Sequence, residues 1–268
     1  MKFKAVFILF NAVVVLSFLF IFLMPLIFLG PEYTQLFWGD NWYLGLVFLA
    51  ILAVLNGYFA ANWKLFGLLE REDWPALTAY LEGRIFEAEK FRAQEVRLLI
   101  HSYVAVNKPM EIRRLDTFLR EKRPQLADRY ALSLGVPYLL SNDGGEIETY
   151  FERARNQAPR GLQGWANWAY AFGLMLQQKT ADAKPVLRST VENARDPLLE
   201  LVTLYLLDAY READDEIAAF LTERIEALRS GYSREKISRL LERRRGELHI
   251  LVVSQLIDSA TDWCFKEE

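Results

Sequence analysis

The sequence predicts an all-α protein: an N-terminal transmembrane helical hairpin, an α-solenoid of repeated helix pairs, and a C-terminal capping helix. Three observations point there. Two long uncharged apolar runs fill most of residues 1–64. Beyond them apolar positions recur every three or four residues, and no run alternates as a strand does. The buried pattern itself returns at an interval near 35 residues, with turn residues between the copies.

The hairpin comes first, at 1–64. From Ala5 to Gly30 no side chain is charged, and only Asn11, Ser17 and Pro25 interrupt the apolar run. A second run, Trp42 to Trp63, is also uncharged. A bilayer core takes ~20 helical residues, so spans are expected at about 5–29 and 43–63. Trp38 and Trp42 are expected at one interface and Trp63 at the other. The first run is longer than the ~7–15 residues of a signal-peptide core, and no small-x-small cleavage site precedes Gly30.

Charge gives the orientation. Lys2 and Lys4 precede the first span and Lys64, Arg71 and Arg84 follow the second. Pro31–Asn41, expected as a loop, has Glu32 and Asp40 but no Lys or Arg. The excess of positive charge marks the cytoplasmic side, so both termini and the repeat body are expected there. An integral protein of a bacterial plasma (inner) membrane is the expectation. Asn11 and Asn56 lie within the spans, and either is a candidate to hydrogen-bond to a neighbouring helix. Neither span carries an ionisable group, which argues against a transport path.

The helical body is expected over 65–230. Lys64 to Glu70 continues the second span into the cytoplasm. Asp73-Trp74-Pro75 reads as a helix start, with a capping residue and a proline in the first turn. Leu77, Tyr80, Leu81 and Ile85 make the buried stripe of that helix. Leu77, Ile112 and Ile147 then stand 35 residues apart, and Ala183 and Ile217 follow at 36 and 34. Tyr80, Leu115, Tyr150, Val186 and Phe220 keep the same intervals, and Tyr103 and Tyr138 differ by 35. Turns fall at Asn107-Lys108-Pro109, Ser141 to Gly145, Gln178-Lys179-Thr180 and Glu212-Ala213-Asp214. Prolines 124, 159 and 197 close the second helices. Helices are therefore drawn at about 73–88, 91–106, 109–122, 126–141, 145–157, 162–177, 180–193, 197–211 and 214–229.

One copy carries a resemblance. It reads Ala131-x-x-Leu134-Gly135-x-x-Tyr138, then Ile147-x-x-x-Phe151-x-x-Ala154, then Pro159. This resembles the tetratricopeptide repeat (TPR), and the likeness extends loosely over Phe91 to Leu228. Ala131 stands where the family has a bulky residue, Ile147 where it has a small one, and Pro137 lies inside a helix, which it should kink or shorten. A related helical-hairpin solenoid outside that family fits the same spacing. In TPR proteins the first helix of each pair lines a concave groove that holds a peptide. The resemblance implies that Gln163, Ala166, Tyr170 and Leu174 face such a groove, with Arg129, Leu132, Ser133 and Asn167 in it or on its rim. Trp165, Trp168 and Phe172 follow core spacing.

Residues 231–268 are expected to cap the solenoid as one helix or a helix pair, with Gly246 as the break. Arg243-Arg244-Arg245 is the most basic local cluster, either a solvated face beside Glu242 and Glu247 or a contact for anionic lipid headgroups. With 32 Lys and Arg against 35 Asp and Glu, and no aromatic interleaving in that cluster, no nucleic acid is expected. His101 and His249 read as packed, satisfied histidines, and Cys264 as a small buried hydrophobe. No catalytic residue, cofactor or metal is called, because no phosphate-cradling, nucleophile or zinc pattern occurs and a helical-repeat body argues against an enzyme. Bacterial proteins with two N-terminal spans and TPR-like repeats share the layout. Two functions remain open: a membrane-anchored scaffold or adaptor that binds a protein through the concave face, and a structural or assembly subunit of a membrane complex that docks through its hairpin.

Overall fold

The computed structural model describes residues 3–266, and no strand occurs among them. Two compact units divide the chain, Met1–Gly83 and Arg84–Glu268.

The first unit holds α1 (Phe3–Leu29), α2 (Pro31–Ala61), α3 (Trp63–Glu70) and α4 (Trp74–Glu82). The first two run antiparallel. Phe22 stacks on Trp38 at 4.3 Å, Phe18 on Phe48 at 3.9 Å, and Phe7 meets Phe59 edge-on at 5.2 Å. Asn56 Nδ2 donates to Asn11 Oδ1 at 2.9 Å, so the two asparagines expected to bond to a neighbouring helix bond to each other. Both helices are long and apolar enough to cross a membrane. Apolar side chains are exposed along them, from Leu16 to Val54.

One expectation changes here. Pro31–Asn41 is not a loop but the first turns of α2. The reversal is made by Gly30 alone (φ 85°), a conformation that favours glycine, and Pro31 opens the next helix because its missing N–H costs nothing there. Asn41 (φ −116°) kinks α2 instead of ending a loop. Trp38 packs on Phe22 and donates to the Phe22 carbonyl at 3.3 Å. Lys2 and the side chain of Lys4, used for orientation, lie outside the described residues.

The unit boundary falls at Gly83, so α3 and α4 group with the hairpin rather than with the repeats. Only Asn62 separates α3 from α2, and α3 packs on both α1 and α2. Asp73 caps α4 by accepting from Ala76 N at 3.1 Å.

In the second unit a π-helical turn (Gly83–Glu87, entered from α4) leads to α5 (Ala93–Ala105) and α6 (Glu111–Lys122). Three short pieces follow: α7 (Pro124–Arg129), α8 (Ala131–Leu134) and α9 (Val136–Ser141). Then come α10 (Gly144–Gln157), α11 (Gln163–Leu176), α12 (Thr180–Glu192), α13 (Pro197–Leu207) and α14 (Asp215–Gly231). Helices pack on their chain neighbours, α10 on α11, α11 on α12, α12 on α13 and α13 on α14, an order consistent with a solenoid. The turns recur in conformation as well as position: Asn107, Asn142 and Gln178 all take a positive φ, 56°, 55° and 60°.

The helix expected at 126–141 is broken twice. Pro137 cannot donate to Ser133, and Gly135 lies directly over an aromatic ring. The first break, at Tyr130, has no signal of its own in the sequence. The Tyr130 hydroxyl donates to the Ala93 carbonyl at 2.8 Å, and Tyr150 donates to the Ala131 carbonyl at 2.9 Å.

Glycines set the closest approaches. A Cβ on Gly135 would lie 2.5 Å from the Phe151 ring. One on Gly173, in α11, would meet the Glu148 backbone nitrogen at 2.8 Å and the Gly144 carbonyl oxygen at 3.1 Å. Backbone there cannot step aside. Gly173→Ala should therefore lower stability by about 1–3 kcal/mol, although helix propensity alone favours Ala by ~1 kcal/mol. Thermal melts of the wild type and the variant read the sign directly.

Candidate functional site

Three helices end the chain: α15 (Arg234–Arg244), α16 (Leu248–Val252) and α17 (Ser254–Cys264). The expected break is present, and Gly246 lies in the corner between α15 and α16. Their position differs from a simple end cap. α16 packs on α8 and α9, and α15 and α17 pack on α13. His249 meets the Trp165 ring of α11 at 5.3 Å. These helices thus lie across the layer formed by the first helix of successive pairs. Their apolar stripe explains it: Ile237, Leu241, Leu248, Ile250 and Ile257 are all buried.

One carboxylate fixes the corner. Asp196 accepts from Leu198 N at 3.1 Å and so caps α13. Its other oxygen accepts from Trp165 Nε1 at 2.9 Å and from Arg244 Nη1 at 2.5 Å. Arg244 also holds Glu247 in a two-point contact, at 2.7 and 2.8 Å. The hydrogen bonds to Glu247 and Asp196 raise the Arg244 pKa, and Arg244 holds the Glu247 carboxyl below its usual range.

Beside this corner lies a cavity of about 490 Å³. α5 contributes Arg97 and His101, and α7 and α8 contribute Arg129, Leu132 and Ser133. Arg243, Glu247 and His249 come from the C-terminal corner, and Pro159 and Leu162 close one side. His249 is 7 % exposed, and its Nε2 makes no hydrogen bond but lies 3.5 Å from a Glu247 oxygen. Burial, with Arg244 adding to it, pushes its pKa down to about 4, against the opposing pull of Glu247. Burial and then Arg97 lower His101 as well.

The eight residues assigned to a groove separate into three groups. Arg129, Leu132 and Ser133 line the cavity, Arg129 exposed and Leu132 buried. Gln163, Asn167 and Tyr170 form a half-buried strip along α11, with the Arg155 guanidinium 4.1 Å over the Tyr170 ring. Ala166 and Leu174 are wholly inside the packing and present no surface. Of the basic run, Arg244 is the clasp just described and Arg245 pairs with Glu242 at 2.8 Å. Arg243 alone of the three turns to the cavity without a carboxylate among the described residues.

A family described as "uncharacterised Treponema protein" matches residues 111–266, from α6 through α17. The chain belongs to that family. A Treponema pallidum (strain Nichols) protein, described as uncharacterized, is 27 % identical over 233 residues, spanning 82 % of this chain and 74 % of its own. No solved structure matches. The matched segment contains Asp196, Arg244 and Glu247, together with Arg129, Ser133, Arg243 and His249 of the cavity.

Sequence reasoning did not find Arg97 or the role of Asp196. Arg97 is one exposed arginine on an amphipathic helix, and only the return of the C-terminal helices gives it neighbours. Asp196 was legible as the residue before a closing proline. Its second and third partners come from 31 and 48 positions away.

Two outcomes test this geometry. Asp196→Ala removes a cap worth ~1 kcal/mol and leaves the Trp165 N–H and Arg244 half-paired, so a loss of several kcal/mol is expected in denaturant unfolding. Acid should act through His249. The unfolded histidine takes a proton near pH 6.5 but the folded one only near 4, so the unfolded chain binds more protons between them and stability falls as pH drops through that window. His249→Phe keeps a ring against Trp165 and should abolish that part of the acid loss, about 2–3 kcal/mol. Unfolding free energies of both proteins between those pH values give the difference.

Proposed function

We propose that this protein is a membrane-anchored scaffold or adaptor. Its hairpin holds a TPR-like helical body at the cytoplasmic face of the membrane, and the body binds a segment of another protein. One observation carries the reading. Two helices long and apolar enough to cross a membrane, with apolar side chains exposed along them, are joined in one chain to a body of stacked helix pairs. Anchoring a docking surface to a bilayer raises its local concentration there.

The open surface for a partner is narrower than the resemblance implies, because the C-terminal helices cover part of the first-helix layer. What is left is the strip of Gln163, Asn167 and Tyr170 with Arg129 and Ser133 at the cavity mouth. That covering also favours a second reading, a structural or assembly subunit that meets its complex through the hairpin. The exposed aromatic and aliphatic face of α1 and α2 suits helix–helix contact in lipid.

Photo-crosslinking groups at Asn167 and Ser133, and in separate full-length chains at Leu36 and Ile51, separate the two in cells. A discrete protein adduct from the body positions, weakened by Tyr170→Asp, is the expected result. Adducts from the hairpin positions alone would overturn the adaptor reading in favour of the second. Orientation has its own check. In spheroplasts, cysteine at Gln35 should react with an impermeant maleimide, while cysteine at Lys64 should react only after lysis.

A further inference from the structure

The fold leaves three guanidinium groups at the cavity without a counter-charge. Arg97, Arg129 and Arg243 come from α5, α7 and α15, all three are exposed, and none forms an ion pair among the described residues. Glu247, the carboxylate nearest at hand, has both oxygens engaged by Arg244. Beside the arginines stand the Ser133 hydroxyl and the buried Nε2 of His249, which has no hydrogen bond and lies 3.5 Å from a Glu247 oxygen. Several other arginines of this unit do form ion pairs: Arg84 with Glu95 at 2.7 Å, Arg113 with Glu146 at 2.5 Å, Arg224 with Glu200 at 2.5 Å. What distinguishes Arg97, Arg129 and Arg243 is that all three line one cavity.

Charge and size narrow the ligand. A single carboxylate would leave two of three cations unmatched, whereas a phosphate group brings at least two oxygens and up to two charges to planar guanidinium forks. A volume of about 490 Å³ falls within the ~300–1,000 Å³ of small-molecule sites. Leu132, Leu162 and Leu248 supply an apolar wall for an organic body.

We propose that the cleft between α5, α8 and the α15–α16 corner binds a phosphate-bearing ligand through Arg97, Arg129 and Arg243. The ligand bridges segments far apart in sequence and fastens the C-terminal corner to the body. Its phosphate is either that of a soluble small molecule or that of a lipid headgroup. The site stands independently of the adaptor reading.

The test uses the full chain in phosphatidylcholine nanodiscs, titrated with inorganic pyrophosphate by calorimetry. Saturable one-to-one binding is expected, weakened about tenfold or more by each of Arg97→Gln, Arg129→Gln and Arg243→Gln. Arg239→Gln, on the same helix as Arg243 but outside the cavity, should leave it unchanged. Pyrophosphate should also raise the melting temperature of the wild type and of Arg239→Gln, but not of the three cavity variants. In nanodiscs that contain phosphatidic acid, competition with pyrophosphate identifies the headgroup source and undiminished binding identifies the soluble one; either supports the site. Absence of saturable binding, or equal weakening by Arg239→Gln, overturns it.

Discussion

Asp196 is the point on which the second unit closes. A capping aspartate ordinarily satisfies orphan amides at one helix start and ends there. This one has a second oxygen free, and it spends that lone-pair capacity on an indole from α11 and a guanidinium from α15. Each partner then fixes something further. Trp165 sets the ring against which His249 packs, and Arg244 engages both oxygens of Glu247 at the cavity wall. Helix capping, the seating of the C-terminal corner and the electrostatics of the cavity thus share one carboxylate. Replacing it by a neutral isostere would keep the cap and lose the clasp.

Close approach is the second constraint, and it acts upstream of the first. Two helices whose backbones touch at Gly144 and Gly173 cannot slide past one another, so the register of α10 on α11 is fixed. Trp165 lies on α11, and its reach to Asp196 depends on that register. Polar stitches repeat the interval outside the glycine contact: Lys179 to Glu148 at 2.6 Å and Lys184 to Asp214 at 2.8 Å. Being partly exposed, these pairs are worth little individually and serve to select the alignment that the apolar packing has set.

What the sequence revealed was local in origin. Helices whose stripes, caps and turns lie within one stretch were drawn within a few residues of their observed ends, as for α5, α6, α10, α11 and α12. The left-handed turn residues recur where the punctuation placed them. What it hid depends on contacts distant along the chain. Pro31–Asn41 has loop-like acids and a glycine, and it is held helical by Pro31 at its start and by Trp38 stacking on Phe22. The break at Tyr130 is fixed by a hydroxyl reaching α5. Amphipathicity marked the C-terminal helices as packed but did not say against what. A groove assigned by resemblance alone therefore contained Ala166 and Leu174, which the packing encloses.

The covering of the inner layer also limits how a partner can reach it. Displacing the C-terminal helices would expose Ile237, Leu241, Leu248, Ile250 and Ile257. At ~2 kcal/mol for each fully buried aliphatic side chain, that is roughly 10 kcal/mol before the Asp196 clasp is broken. A sum of this size rivals the ~5–15 kcal/mol by which whole domains are stable. An ordinary peptide–protein contact does not supply it. The C-terminal helices are on this argument a permanent wall of the body. The strip on α11 and the arginine-lined cavity stay open beside that wall. A ligand in that cavity meets both sides of the seam and strengthens the wall instead of opening it.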